Sequence, residues 1–589
     1  MERIRKINKD TVIVPPECSD DSVADDTDED PDYSPNENRR RIYSSNNGFS
    51  STSETETSED EDNPTPAKDN KCYRVPSVWH DVPENMSETP IPLWNKKPEE
   101  YLISSPVDYF RYFFDVEVID KIVTQSNLYC VQNDVNKSLN TVAQEIEQFI
   151  GTCAYMSIYS LPRSRLFWGR RTRVEKVADV MSRNRWEELK SNLHFNDNSQ
   201  CPSVTDPNRE RLFKIRPLID SLQDRFKQIP IEEQMLCIDE RIVPFKGKSY
   251  LKQYNPNKPH KWGYKIFVLC NSKGLVHNFE VYTGCITPAE DMPDVGKSSN
   301  VVLQLIQHIV CDENYLFYFD NWYSSPALLV SLANLGFAAL GTIRTNRFPG
   351  LEFSSDKEMK KRGRGAVEEK EAQIDGVPIR AIKWYDNKGV TLATTFDSCH
   401  PLQTVQRLQK KDKTTVDVKC PQAITTYNKF MGGVDLIDGL ISYYRIKIRS
   451  KKYYLRFFFH FVDMAMVSSW LMYKRDCEKE GLSGNIIMDL LRFKTEVAES
   501  LCRQGKDVVK KRRPSTSSTS IEREHEAKMH RGPTKSIPSP LVRLDAVGHW
   551  PLFTDDRQRC RHPMCKDKSF IKCKKCNLHL CLKKKKRLC

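Results

Sequence analysis

MLCIDERIVP, residues 235–244, decides how this chain folds. Leu236, Cys237, Ile238, Ile242 and Val243 make it an apolar run of strand length that closes on Pro244. Asp239 interrupts that run, and an ionised carboxylate costs on the order of several kcal/mol to desolvate unless something pairs with it. Reading outward, Trp262–Leu269 and Val276–Thr283 are also strand-like, followed by a helix-like Asn300–Val310 and a strand Tyr315–Phe319 that Asp320 closes. A helix Pro326–Leu335 and a strand Phe337–Arg344 complete the series. Neither Asp239 nor Asp320 has a Lys or Arg immediately beside it in its strand, so a divalent cation is the natural counter-charge.

Three meandering strands, a crossover helix and a fourth strand form the order of a ribonuclease H-like α/β sheet. A right-handed crossover returns the fourth strand beside the first and parallel to it, which makes Asp239 and Asp320 neighbours at one sheet position. Beyond Arg344 the pattern breaks: Lys360–Gly365 is basic and glycine-rich, and Pro378–Trp384 and Val390–Thr395 are short β-like runs. We read 347–420 as a β-rich insertion and not as a continuation of the sheet. Carboxylates resume at Asp435 and Asp438, three apart after Gly432 and Gly433, and so on one face of a helix. Laid against the sheet, that helix could bring one of them to the same metals, although for Asp438 an ordinary cap or turn residue reads alike. Phosphodiester cleavage by in-line attack uses one ion to activate water or a 3′ hydroxyl and a second to stabilise the leaving oxygen. Carboxylates are the natural ligands for Mg²⁺ or Mn²⁺ in that chemistry.

The 589 residues carry a formal charge of +12, unevenly placed. Residues 1–70 hold 8 Lys/Arg against 19 Asp/Glu, leaving 83 against 60 in the remainder. A body this basic points to a polyanionic partner, foremost nucleic acid, although a solubilising surface would carry the same charge. No apolar run is long enough to span a bilayer and Met1–Asp10 is charged, so membrane and secretory classes are not expected. The 19 cysteines then read as buried thiols or metal ligands, not disulfides. Residues 1–95, rich in Ser, Thr, Asp, Glu and Pro, are expected to be disordered. Residues 106–230 read as all-helical, with Trp168, Trp186 and Phe195 as core anchors and Arg163, Arg165, Arg170, Arg171 and Arg173 as a basic cluster. Tyr453–Tyr473 is an aromatic, helix-like run. Before it, Arg445, Lys447, Arg449, Lys451 and Lys452 are candidates for phosphate contacts, or equally the charged face beside a packed helix. Lys510–Arg513 could serve as a nuclear import signal.

At the C-terminus, Cys560, Cys565, Cys573, Cys576, His579, Cys581 and Cys589 fall within thirty residues. Thiolate and imidazole at such spacing suit tetrahedral Zn²⁺, and a segment this short has little else to fold it.

The segments SPVDYFRYFFD, NLHFNDN, IDERIVPFKGK, YNPNKPHKWGYKIFVLC, FDNWYSSPALL, AIKWYDNKGVTLATT and MGGVDLIDGLISYYR closely resemble, in order and spacing, the piggyBac transposase family from about residue 100 onward. The resemblance implies a multidomain DDD-type DNA transposase. Its ribonuclease H-like core (233–346 and 421–441) would be split by the insertion (347–420) and flanked by an all-helical dimerisation and DNA-binding domain (96–232 and 442–505). An acidic region (1–95) would precede these, and a linker (506–552) would lead to a cysteine-rich zinc domain (553–589). Residue by residue, Asp239, Asp320 and Asp435 match the family's catalytic triad and Asp438 its fourth acid. The resemblance further implies strand cleavage through hairpin ends, joining at TTAA sites, double-stranded DNA as partner, a homodimer and a nuclear location. The tail departs from the pattern: four residues separate Cys560 from Cys565 where two are usual, and it ends CLKKKKRLC in place of Cys-Phe and a final His. Zinc-ligand assignment therefore stays open, with His562 as a substitute. A domesticated, piggyBac-derived DNA-binding protein that mobilises nothing is the alternative reading.

Overall fold

The computed structural model describes residues 77–82, 92–94, 103–503 and 548–581, apart from 204–205, 207–208, 248, 257–260, 285, 410–413, 563–564 and 566. Lys510–Arg513, Lys583–Arg587, Cys589 and most of the acidic region and linker lie outside the described residues. The chain divides into two compact units, 1–506 and 507–589.

The larger unit is built on a ten-stranded mixed sheet. Met235–Pro244 pairs antiparallel with Trp262–Asn271, Asp239 standing opposite Val268, and Trp262–Asn271 pairs in turn with Val276–Val281. On its other side Met235–Pro244 pairs parallel with Leu316–Phe319, Ile238 facing Phe319. Leu316–Phe319 then pairs parallel with Ala338–Thr342. The first and fourth strands therefore lie side by side and parallel, as the order of elements predicts.

The sheet does not stop there, which corrects the expectation for 347–420. Gly389–Thr394 pairs antiparallel with Ala338–Thr342, and Val377–Tyr385 and Val367–Ile374 follow it outward in the same sheet. Three strands of the expected insertion thus continue the sheet, while Gln403–Gln409 and Thr414–Cys420 form a separate ribbon. The expectation for 1–95 also needs correcting over its described part. His80–Asp81 pairs with Lys370 and Glu371, the Trp79 indole N–H donates to the Pro349 carbonyl (3.3 Å), and Gln234 donates to the Pro92 carbonyl (2.7 Å). Trp79 and Trp94 are the apolar anchors in that otherwise polar stretch, both packed against the core.

Alternation along the first strand separates two cores. Leu236 and Ile238 face Lys297–Ile306 and Pro326–Asn334, the helices flanking the fourth strand. Cys237 and Val243 face the helical part, to which Val116–Asn133, Ala143–Tyr159, Arg216–Lys227, Tyr453–Lys479 and Leu490–Arg503 belong. Chain segments before and after the sheet build this layer together. Tyr109 donates to Asp476 (2.8 Å) and Ser469 donates to the Tyr109 carbonyl (3.0 Å). The 27-residue helix Tyr453–Lys479 is buried on nearly every side over its aromatic half, which is why its sequence shows no polar stripe there. Among the described residues no helix is long and apolar enough to cross a membrane.

Candidate active site and cysteine-rich metal centres

Ile238 pairs with Phe319, so the next register position holds Asp239 and Asp320. Pairing ends there because Asp320 starts a turn: its Oδ1 accepts the Trp322 backbone N–H (2.8 Å). The first strand runs on, and its edge on that side is open at 239 and 240. Side chains from both of its faces reach that gap. Asp239, Glu240 and Asp320 each offer a carboxylate oxygen, all within 4.8 Å of one another. Glu240 was not foreseen, because strand alternation assigns it to the face opposite Asp239.

Positive charge reaches the cluster from Lys265, and Asp320 also feels Arg344 and Arg347. Lys265 Nζ lies 4.0 Å from Glu240 Oε2 and 4.3 Å from the Trp322 ring centre. The buried Tyr323 hydroxyl donates to Glu240 Oε2 (3.4 Å), and its phenol is held far above the ordinary value by burial first and then by Glu240, Asp239 and Asp320. Burial chiefly, and next the charge of Glu240, raises the Asp320 carboxyl. Three carboxylates crowded this closely are a donor set suited to a hard divalent cation, whose charge offsets their mutual repulsion.

Asp435 and Asp438 stand outside this group. Both lie on the helix Gly433–Tyr443, which rests Val434, Ile437 and Ile441 on the sheet. Asp435, in the first turn, is exposed. Asp438 forms an ion pair with Arg241, whose side chain is only 1% exposed.

The basic segment 445–452 splits by direction. Ile446 and Ile448 point inward while Lys447 and Arg449 between and beyond them are exposed. Arg445 and Lys451 are half-buried. Lys452 departs from the expected phosphate contact: it is buried, donating to the Ser191 carbonyl (2.9 Å) with its ammonium 5.5 Å from the Tyr129 ring centre. Its buried head is held by that carbonyl and the ring face instead of by solvent.

In the smaller unit Pro551–Arg559 and Lys568–Cys573 form an antiparallel hairpin, Pro551 opposite Cys573. Two groups of possible ligands result, each with atoms within 4.8 Å: His549, Cys573 and Cys576; and Cys560, Cys565 and Cys581. His549 Nδ1 lies 3.3 Å from Cys573 Sγ and 3.4 Å from Cys576 Sγ. His549 was not foreseen; it falls in the stretch read as linker, and only the hairpin register carries it to Cys573. His579 is buried but belongs to neither group, its Nε2 lying 3.1 Å from Thr554 Oγ1. The buried core here is four cysteines with Leu578 and Leu580. So small an apolar core is the setting in which metal ligation, where it occurs, contributes folding energy outright. Burial, and then the neighbouring Cys560 and Cys565, pushes the Cys581 thiol up to about 11. A tightly packed thiol set of this kind suits zinc, which deprotonates its ligands.

Comparisons with known proteins identify the family. The family model described as "Transposase IS4" matches residues 105–470. The chain is similar to human PiggyBac transposable element-derived protein 3, 30% identical over 485 residues that cover 81% of this chain and 76% of the relative. Human PiggyBac transposable element-derived protein 2 is 29% identical over 463 residues, covering 77% and 72%. The fold of this chain is similar to that of the piggyBac transposase solved in a synaptic complex with hairpin DNA, with a TM-score of 0.57 at 20% identity, covering 81% of this chain and 95% of that one. With a family match and a relative of this extent, the chain belongs to the piggyBac transposable element-derived family of transposases.

Proposed function

We propose that the chain is a metal-dependent DNA transposase of the DDD type, with Asp239 and Asp320 as the central metal ligands. The observation that carries this reading is the meeting of Asp239, Glu240 and Asp320 at the open end of the fourth strand. A divalent cation held there would supply the charge that activates a water or a 3′ hydroxyl and steadies the leaving oxygen. The chain's own residues prepare that position: Tyr323 orients Glu240 through its hydroxyl, Lys265 offsets part of the negative charge, and Asp435 is the third family acid. Exposed Lys447 and Arg449 supply phosphate contacts that place DNA without reading its sequence. Hairpin formation at the ends, joining at TTAA, a homodimer and action in the nucleus complete the proposal, supported by the resemblance to piggyBac. The two cysteine groups would each hold Zn²⁺ and organise the C-terminal unit for binding the element's ends.

The test is an excision assay on DNA carrying the element's terminal repeats, with repaired donor sites sequenced. Parent protein should restore donor sites, and Asp239→Asn should abolish cleavage while retaining DNA binding. Unchanged cleavage by Asp239→Asn removes that residue from the reaction. A second reading, a DNA-binding protein that no longer mobilises anything, is favoured by Asp435 standing outside the carboxylate group and by the altered tail. Binding to the repeats with no excision by the parent protein would select it.

A further inference from the structure

Gly433 is where the helix Gly433–Tyr443 touches the sheet. A Cβ added there would meet the Asn271 carbonyl oxygen at 2.2 Å, Cys237 Sγ at 2.7 Å and Cys270 Sγ at 2.9 Å. Gly274, at φ +86°, approaches the same turn from below, its Cβ direction 3.2 Å from the Gly433 carbonyl oxygen and 3.3 Å from the Ile437 nitrogen. One end of the helix is therefore seated directly on residue 237 of the first strand. Further along, Asp438 pairs with Arg241 of that strand. Cys237, Asp239 and Arg241 share one strand face, so the two contacts bracket Asp239 on the sheet and Asp435 on the helix. Asp438 gives one oxygen to this pair: Arg241 is almost wholly buried, as is the Asp438 Oδ1 that meets it, while the Asp438 side chain as a whole remains 32% exposed. Arg241 cannot easily be released, because a buried guanidinium deprived of its counter-ion is strongly destabilising.

We infer that Asp438 is a positioning residue and not a metal ligand: with Arg241 it forms a strut that, together with the Gly433 seat, fixes the turn bearing Asp435 beside Asp239. The inference rests on the transposase reading for what Asp435 does, but the strut itself stands on the ion pair and the glycine contact. It explains why a family acid sits outside the carboxylate group while lying on a helix packed against the same strand. It also explains why Arg241 is kept paired. Two places from Asp239 on the same face, a free guanidinium would compete with a metal ion for that carboxylate, and Asp438 holds it away.

The test is a double-mutant cycle in the full-length protein on Arg241→Met and Asp438→Asn, reading melting temperature, Mn²⁺ affinity and the DNA cleavage rate. Asp438→Asn alone should lower the melting temperature and slow cleavage at least tenfold while leaving Mn²⁺ affinity within twofold. Adding Arg241→Met should recover most of the melting temperature, because no unpaired guanidinium then remains buried. Asp435→Asn should slow cleavage strongly in the parent but add little in the Asp438→Asn protein, a non-additivity that a merely structural role would not give. A tenfold or greater loss of Mn²⁺ affinity in Asp438→Asn, whether or not Arg241 is replaced, makes Asp438 a ligand and overturns the inference, as does additive loss of stability in the cycle. Failure of the transposase reading shows differently: Asp239→Asn would then bind Mn²⁺ as the parent does, while the stability cycle still reports on the strut.

Discussion

Replacing Gly433 with alanine is the sharpest perturbation the fold offers. Its Cβ would sit 2.2 Å from the Asn271 carbonyl oxygen, which belongs to a strand paired on both sides and cannot step back. Ordinary carbon contacts begin near ~3.5 Å, so the helix has to lift by about 1 Å. Overpacking of this kind costs about 1–3 kcal/mol of stability. The kinetic effect should be larger in proportion, since a displacement of about 1 Å in a reacting group can cost on the order of a hundredfold in rate. Gly432, one residue earlier, supplies the control: nothing lies within 4 Å of its Cβ direction and its φ of −77° suits any residue. Gly432→Ala should stay within about 1 kcal/mol of the parent, a small entropic gain offsetting a poorer helix cap. Equilibrium unfolding and cleavage of terminal-repeat DNA read the two variants side by side. Parent-like stability and cleavage in Gly433→Ala would refute the seat, and with it the placement of Asp435.

Two other measurements bear on different parts of the chain. His549→Ala should reduce the zinc held by the purified protein by about half, because one of the two ligand groups loses its imidazole; unchanged zinc content by mass spectrometry would remove His549 from the ligand set. Burial above all, and next the charge of Lys227, holds the His308 imidazole down at about 4 against an ordinary 6.5. The unfolded chain therefore binds a proton that the folded chain refuses, so stability is greatest above pH 6.5 and falls as pH drops towards 4, by up to about 3 kcal/mol from this group. His308→Gln should flatten that part of the profile in denaturant titrations at pH 7 and pH 4.5, and an unaltered slope would show that His308 titrates normally.

Much of the sheet was legible because its first strands obey the physics of burial. Met235–Pro244 matches the strand expected from its apolar run, and the parallel return of Leu316–Phe319 follows from handedness alone. The pairing of Asp239 with Asp320 followed from those two facts. What escaped depends on register between segments with weak patterns of their own. Val367–Ile374, VEEKEAQI, is half charged and carries no strand signature; it is held by its neighbour, with Glu371 opposite Arg380 and joined to it at 2.7 Å. His549 is a lone histidine until the hairpin sets Pro551 against Cys573. Lys452 reads as one more cation in a basic run, and only its position between layers turns it inward.

Glu240 was missed for a reason that also explains the site. Alternation held for Leu236, Cys237, Ile238 and Val243, whose side chains divide between the two cores. At 239 and 240 the fourth strand has already ended, and a half-paired edge lets two successive side chains bend toward the same gap. The position of that ending is set by Asp320, whose carboxylate turns the chain through the Trp322 N–H. One residue thus closes the strand and contributes to the cluster that its closing makes possible. A register slip of one residue would move Asp239 to the face of Val301, Leu305 and Ile306, where an unpaired carboxylate is costly to bury. The same apolar packing that fixes the register therefore fixes which carboxylates meet, and moving Asp320 one position along its turn should disperse the cluster without unfolding the sheet.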